Sequence, residues 1–276
     1  MKTDYLKELS NSGNDESMPV LFVGHGSPMN AIEENQFTEG WETIAETFPQ
    51  PKAILCISAH WETKGTYVTA MKNPRTIHDF GGFPRELYEI EYPAPGFPEL
   101  ADEVKKLITK TDVILDYAWG LDHGTWSVIR HMYPEANVPV IQMSLDYIKS
   151  PRYHYDLAKE LAVLRKKGIL IAGSGNMVHN LRMIAWDKMN EPEYGFDWAI
   201  EANEKMKKYI LSGSHNHLIE YDSQGKEFNL AIPTPEHFLP LLYILSLQEK
   251  NEKIALFNDK PVMGSLTMTS LKISSF

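Results

Sequence analysis

A chain of 276 residues, 43% of them hydrophobic, is long enough for one large domain with a well-buried core. Its formal charge of -10, with no cluster of Lys and Arg interleaved with aromatics, excludes the basic footprint of nucleic-acid binding and suits a small neutral or cationic substrate. No apolar run approaches the roughly 20 residues of a membrane span, and the lone Cys56 excludes an internal disulfide, so a cytoplasmic setting is expected.

Residues 1–17 are polar, carry charges of both signs and lack the apolar stretch of a signal peptide, so they are read as a tail before a single domain at 18–276. The first strand is expected over Val20 to Gly24, ending in the turn Gly24-His25-Gly26-Ser27-Pro28, and a helix over Glu39 to Phe48. A strand from Ala53 to Ala59 encloses Cys56 as a buried thiol and places His60 at its exit. After a strand at Thr66 to Ala70 comes a long segment, Lys72 to Gly96, punctuated by Pro and Gly and carrying Phe80, Phe83, Tyr88 and Tyr92. Loops of that length in a compact domain usually carry function.

A helix at Phe97 to Thr109 and a strand at Val113 to Tyr117 lead to Asp122-His123-Gly124-Thr125, where Thr125 or Asp122 can cap a helix running to Met132. A strand at Val138 to Leu145, a helix at Pro151 to Lys166 and a strand at Gly168 to Gly173 follow, the last leading into Gly175-Asn176-Met177-Val178-His179. Ala185 to Gly195 reads as a surface loop. The helix Phe196 to Leu211 keeps Ala199, Ala202, Met206, Tyr209 and Ile210 at helical spacing. His237 falls in the first turn of an apolar helix, Glu236 to Leu247, that begins at Pro235. Ala255 to Asn258 and Ser265 to Ser274 then look like strands with no helix between them. The alternation predicts an α/β fold: a single domain with a central mixed, mostly parallel sheet, covered by helices on both faces and bearing an antiparallel edge.

Histidines at the C-terminal ends of strands point into the crevice where open α/β sheets hold ligands. His25 and His60 do this, and His123, His179 and His237 arrive in similar turns. Neutral imidazoles suit zinc, copper, iron and nickel, whereas magnesium would need more carboxylates than the neighbouring Glu62, Asp79, Asp122 and Glu236 supply. The pattern predicts one histidine-rich transition-metal site and leaves its reaction open. His131, His154, His215 and His217 lie in helix-like or polar segments and carry no comparable pattern, while His78 shares the aromatic loop with Asp79.

Taken together, Gly24-His25-Gly26-Ser27-Pro28, Ser58-Ala59-His60-Trp61, His78-Asp79-Phe80-Gly81-Gly82-Phe83-Pro84, Tyr92-Pro93-Ala94-Pro95-Gly96, Leu121-Asp122-His123-Gly124, Gly173-Ser174-Gly175-Asn176 with His179-Asn180, and Thr234-Pro235-Glu236-His237 resemble the 4,5-DOPA dioxygenase family. That family belongs with the class III extradiol ring-cleaving dioxygenases, and His179-Asn180-Leu181-Arg182 is similar to its bacterial branch. The resemblance implies one divalent metal ion on His25, His60 and His237, with His179 either a fourth ligand or the base that deprotonates the substrate. It implies that His123 hydrogen-bonds the bound oxygen and later supplies a proton. A small aromatic diol such as DOPA and O2 would react to a semialdehyde, with His78, Phe80 and Phe83 at the substrate.

In the wider superfamily the third ligand is a glutamate. Here His237 takes its place beside Glu236, which leaves the metal open between Fe(II), expected for dioxygenase activity, and Zn(II), expected in the resting or purified protein. Two other classes stand beside this one. A zinc hydrolase would use His123 or His179 as base, although no His-Glu-x-x-His pair is present. A non-catalytic binding module would keep the pocket alone, with no need to retain both His123 and His179.

Overall fold

The structure is a computed structural model that describes residues 17–275 apart from 190 and 192, so the expected tail lies outside the described residues except for Ser17. Ten strands are present among the described residues: β1 (Val20–Gly24), β2 (Ala53–Thr63), β3 (Thr66–Thr69), β4 (Val113–Asp116), β5 (Val140–Asp146), β6 (Ile169–Gly175), β7 (Lys253–Phe257), β8 (Pro261–Val262), β9 (Leu266–Thr267) and β10 (Ser270–Ser274). The helices among them are α1 (Gln36–Ala45), α2 (Arg85–Tyr88), α3 (Pro98–Leu107), α4 (His123–Met132), α5 (Pro151–Ala158), α6 (Asp197–Leu211), α7 (His215–Ile219), α8 (Lys226–Ala231) and α9 (Leu239–Ser246).

Eight strands form one sheet in the order β4-β3-β5-β2-β6-β1-β10-β7, and β8 pairs β9 separately. The centre, β5-β2-β6-β1, is parallel, while β10 joins β1 and β7 antiparallel. The expected mixed, mostly parallel sheet with an antiparallel edge is therefore present.

The central strands read as continuous apolar runs because both faces are covered. Val20, Phe22, Leu55, Ile57, Ile169 and Ile171 pack on one side with residues of α3, α5, α6 and α9. Their alternates Leu21, Val23, Ile54, Cys56, Leu170 and Ala172 pack on the other side with Trp41 and Ile44 of α1 and Trp126, Val128 and Ile129 of α4. The period of two in a strand sorts neighbouring residues to opposite faces. Burial pushes the Cys56 thiol up to about 12, as expected of an inert core thiol.

Two expectations are corrected, and one open alternative is decided. The helix from Pro151 does not run on to Lys166: α5 ends at Ala158 and a 3-10 helix, Lys159–Lys167, continues to Gly168, whose φ is +80°. Ala158, Leu161 and Leu164 are fully buried at three-residue spacing, which lines them up on one edge of a three-fold helix. Helix α9 starts at Leu239 rather than Glu236, because Pro240 lacks an N–H and fits only the first turn. His237 consequently sits in the tight turn before the helix, where Phe238 N–H donates to the Pro235 carbonyl at 2.9 Å. The helix holding His123 is capped by Asp122, whose side chain accepts from Thr125 N–H at 3.1 Å, and not by Thr125.

Candidate metal centre

The C-terminal ends of the parallel strands deliver the histidines to one place. His25 follows β1, and its N–H donates to the Gly175 carbonyl at the end of β6 at 3.1 Å. His60 lies inside β2 rather than at its exit, but the ladder to β6 ends at Ser58 and the ladder to β5 is interrupted between Ile57 and Glu62. The interruption frees its backbone to aim the ring out of the sheet.

His237 is brought in by contact with Gly175. The Asn176 N–H donates to the His237 carbonyl at 2.9 Å, and a Cβ on Gly175 would stand 2.1 Å from that carbonyl oxygen. Only glycine allows the turn to close there. Gly124 has the same function between α4 and β2, since a Cβ would meet Ser58 Oγ at 2.7 Å and His60 Cδ2 at 2.9 Å.

His25 Nε2 and His60 Nε2 are 3.1 Å apart. The His25 ring is inclined 53° to that of His60 and 51° to that of His237, and the latter two are inclined 87° to each other. One ligand atom from each of His25, His60 and His123 falls within 4.8 Å of the other two, and the same holds for His179, Glu236 and His237.

Hydrogen bonds fix which nitrogens are free. Ser174 Oγ donates its one proton to the Gly124 carbonyl, so it accepts from His25 Nδ1–H at 3.0 Å and leaves a lone pair on His25 Nε2. Glu236 Oε1 accepts from His237 Nδ1 at 3.1 Å, which likewise leaves Nε2 bare, and Thr234 Oγ1 donates to the same carboxylate oxygen at 2.9 Å. Burial, followed by the neighbouring imidazoles, holds His25 and His237 well below the usual range. Burial and then His123 hold His60 near 3. These rings are neutral at pH 7 and present lone pairs.

The donor set fits a transition-metal ion. An imidazole lone pair lies in its ring plane, so rings inclined to one another can aim at one ion; His237 meets this with His25 and His60, and so does His123, inclined 81° to His25 and 48° to His60. Two nitrogens about 2.1 Å from one ion at a tetrahedral angle stand about 3.4 Å from each other, so the 3.1 Å between His25 and His60 is close to what one shared ion requires.

The remaining candidates surround this set. His179 stacks on His237, with centroids 3.5 Å apart and planes 9° from parallel, and burial lowers it to about 4. His123 donates from its backbone N–H to Asp79 Oδ1 at 2.8 Å and from Nδ1 to Asp79 Oδ2 at 2.9 Å. Burial raises the Asp79 carboxyl, but its hydrogen bonds from His123 and the favourable electrostatics of that contact prevail and lower it. Phe80 lies edge-on to His123 at 5.6 Å and packs with Phe83 and Tyr88 at 5.5 and 5.1 Å. His78 Nε2 donates to the Ile90 carbonyl at 2.9 Å, and its ring packs on Phe80 and Trp126.

Sequence reading gave no role to Ser174, Ser58 or Asp79. Ser58 donates to Asp122 Oδ1 at 2.7 Å, and Gln142 Nε2 to Asp122 Oδ2 at 2.7 Å, beneath the histidines. The available signals were slight: hydroxyls inside Gly-Ser-Gly and Ser-Ala-His, and a carboxylate beside the more conspicuous His78.

The family described as the catalytic LigB subunit of aromatic ring-opening dioxygenase matches residues 19–265. A 4,5-DOPA dioxygenase extradiol from Escherichia coli (strain K12) is 46% identical over 261 residues, covering 93% of this chain and 94% of that one. One from Beta vulgaris is 35% identical over 277 residues, covering 95% and 98%. The crystal structure of an uncharacterized protein from Escherichia coli K12 superposes with a TM-score of 0.80 at 40% identity, covering 92% of this chain and 99% of that one. Among the described residues no helix is long and apolar enough to cross a membrane.

Proposed function

Because the chain belongs to the family of catalytic LigB subunits of aromatic ring-opening dioxygenases, and is by that membership an extradiol ring-opening oxidoreductase, we propose that it cleaves a catechol such as DOPA beside the diol. One catechol and one O2 balance to the product without another reductant: a ring C–C bond breaks, one carbon becoming a carboxylic acid and its neighbour an aldehyde. A single divalent ion on His25, His60 and His237 is the proposed cofactor, Fe(II) in the working enzyme. Zn(II) suits the same donors and is the ion expected in purified protein. When bound, the ion supplies Lewis acidity at the diol oxygens and redox access to dioxygen.

The observation that carries this reading is the set of three neutral, mutually inclined imidazoles, His25 and His237 buried and His60 half-buried, with Nε2 of the two buried rings held bare by Ser174 and Glu236. His179 is the base that takes a proton from a diol hydroxyl. A base held neutral at working pH is ready to accept one. His123 exchanges the second proton at the oxygen side. Phe80 and Phe83 cover the flat ring and exclude water, and His78 braces that loop through the Ile90 carbonyl. The family membership does not favour the hydrolytic or non-catalytic alternatives.

Protein stripped of metal and reloaded anaerobically with Fe(II) is expected to consume O2 with DOPA or a related catechol and form a yellow semialdehyde carrying both atoms of 18O2. Absence of O2 uptake across a catechol panel overturns the proposal.

A further inference from the structure

The proposed chemistry uses His123 but does not explain how that ring is kept ready. Each oxygen of the Asp79 carboxylate takes one N–H of His123, the backbone's at 2.8 Å and the ring's Nδ1 at 2.9 Å. An ionised carboxylate can only accept hydrogen bonds, so the proton between Oδ2 and the ring is on Nδ1. Oδ2 also lies 3.5 Å from His60 Nδ1, too far to compete with the His123 bond. The ring is therefore gripped at two points by one residue, and Nε2 is its only unengaged nitrogen.

We infer that Asp79 is the positioning residue that holds His123 in the Nδ1–H tautomer, keeping Nε2 available to exchange a proton with substrate. The inference rests on the acid–base reading of His123 given above. A proton taken at Nε2 turns the ring into an imidazolium lying against an ionised carboxylate, and that pairing stabilises the charge as it forms. Asp79 also belongs to the aromatic loop, one residue before Phe80, whose ring lies edge-on to His123. The same step of chain that lays an aromatic ring beside the site sets the tautomer of the acid–base group.

A simple anchoring role for Asp79 makes a different forecast, and Asp79→Asn separates the two. Asparagine has the same shape and can keep the backbone bond through its carbonyl oxygen, but it turns an NH2 group toward Nδ1. The ring must then accept at Nδ1 and carry its proton on Nε2. In zinc-loaded protein with 15N-labelled histidine, long-range 1H–15N spectra are expected to show His123 protonated at Nδ1 in the wild type and at Nε2 in the variant. In iron-loaded protein with DOPA, kcat is expected to fall about 100-fold, the low end of an acid–base contribution. KM, metal content and melting temperature are expected to stay near wild type.

A kcat within about threefold of wild type, an unchanged tautomer, or an activity loss that follows metal loss or unfolding would each overturn the inference. His123→Ala, measured in parallel, tests the underlying reading. If it turns over normally, the acid–base role of His123 fails and takes the catalytic half of the inference with it, while the spectra decide the tautomer half on their own.

Discussion

His179 lies face to face with His237, ring centroids 3.5 Å apart and planes only 9° from parallel. Planes so nearly parallel do not meet near the rings, and an imidazole donates close to its plane, so one ion is poorly placed to bind both. His237 is inclined by 51° to His25 and by 87° to His60, so its plane crosses theirs. The stacking supports a division of the four candidate rings into three ligands and one unligated base. It also favours a site with open positions, the arrangement that a substrate and O2 require.

His179→Ala is therefore expected to keep its metal and lose turnover. Metal content by mass spectrometry should match wild type, while kcat falls about 100-fold or more, the usual scale for a lost acid or base. His25→Ala, His60→Ala and His237→Ala are expected to purify without metal. Loss of metal from His179→Ala to the same extent would make that residue a fourth ligand and the resting site a closed one.

Ser174 tests how the ligands are prepared. Its hydroxyl gives its proton to the Gly124 carbonyl and takes one from His25 Nδ1 at 3.0 Å, so Ser174→Ala removes the acceptor that fixes the His25 tautomer. Such outer partners typically set about 10- to 100-fold in metal affinity. Competition with a chromophoric chelator should show zinc binding weakened on that scale with the fold intact. Unchanged affinity would mean that the ring needs no such partner.

What the sequence made legible was local. Strands covered on both faces leave continuous apolar runs closed by glycine turns, so β1, the first part of β2 and the body of β6 stood out, together with the histidines at their ends. The pairings that set proton positions were not legible, because they join residues remote along the chain: His25 to Ser174 across 149 positions, His123 to Asp79 across 44. No periodicity encodes them. The start of α9 was hidden by the uniform apolar run after His237, and Pro240 was the clue that locates it. Of the adjacent pair, His78 bonds a backbone carbonyl, and it is Asp79 that reaches another histidine.

Gly175 is expected to be intolerant of even one methyl group. A Cβ there would stand 2.1 Å from the His237 carbonyl oxygen, so the turn carrying His237 must retreat. Overpacking of this kind costs about 1–3 kcal/mol, and at this chain length that lowers the melting temperature by several degrees. Gly175→Ala should show that drop together with weakened metal retention. Gly81→Ala, where an added Cβ meets nothing within 4 Å, is the control and should match wild type in both. Equal behaviour of the two variants would refute the close-approach argument.

Acid sensitivity should come in part from a histidine outside the site. His154 is fully buried on α5, its Nδ1 2.9 Å from Tyr243 Oη, with the Tyr153 ring beside it. Burial lowers it to about 4, against a smaller opposing pull from Asp146. In the unfolded chain it titrates near 6.5. Between those values the unfolded state binds the proton that the folded state refuses, so stability falls as pH drops from about 6.5 and levels off below about 4. A shift of that size corresponds to about 3 kcal/mol. His154→Gln keeps a hydrogen-bonding side chain and removes the titration. Urea unfolding at pH 7 and pH 4.5, in metal-free protein, should show the wild type losing more stability than the variant by about that amount. The site histidines act in the same direction in both proteins and cancel in the comparison. Equal losses in the two proteins would show that His154 does not resist protonation in the folded state.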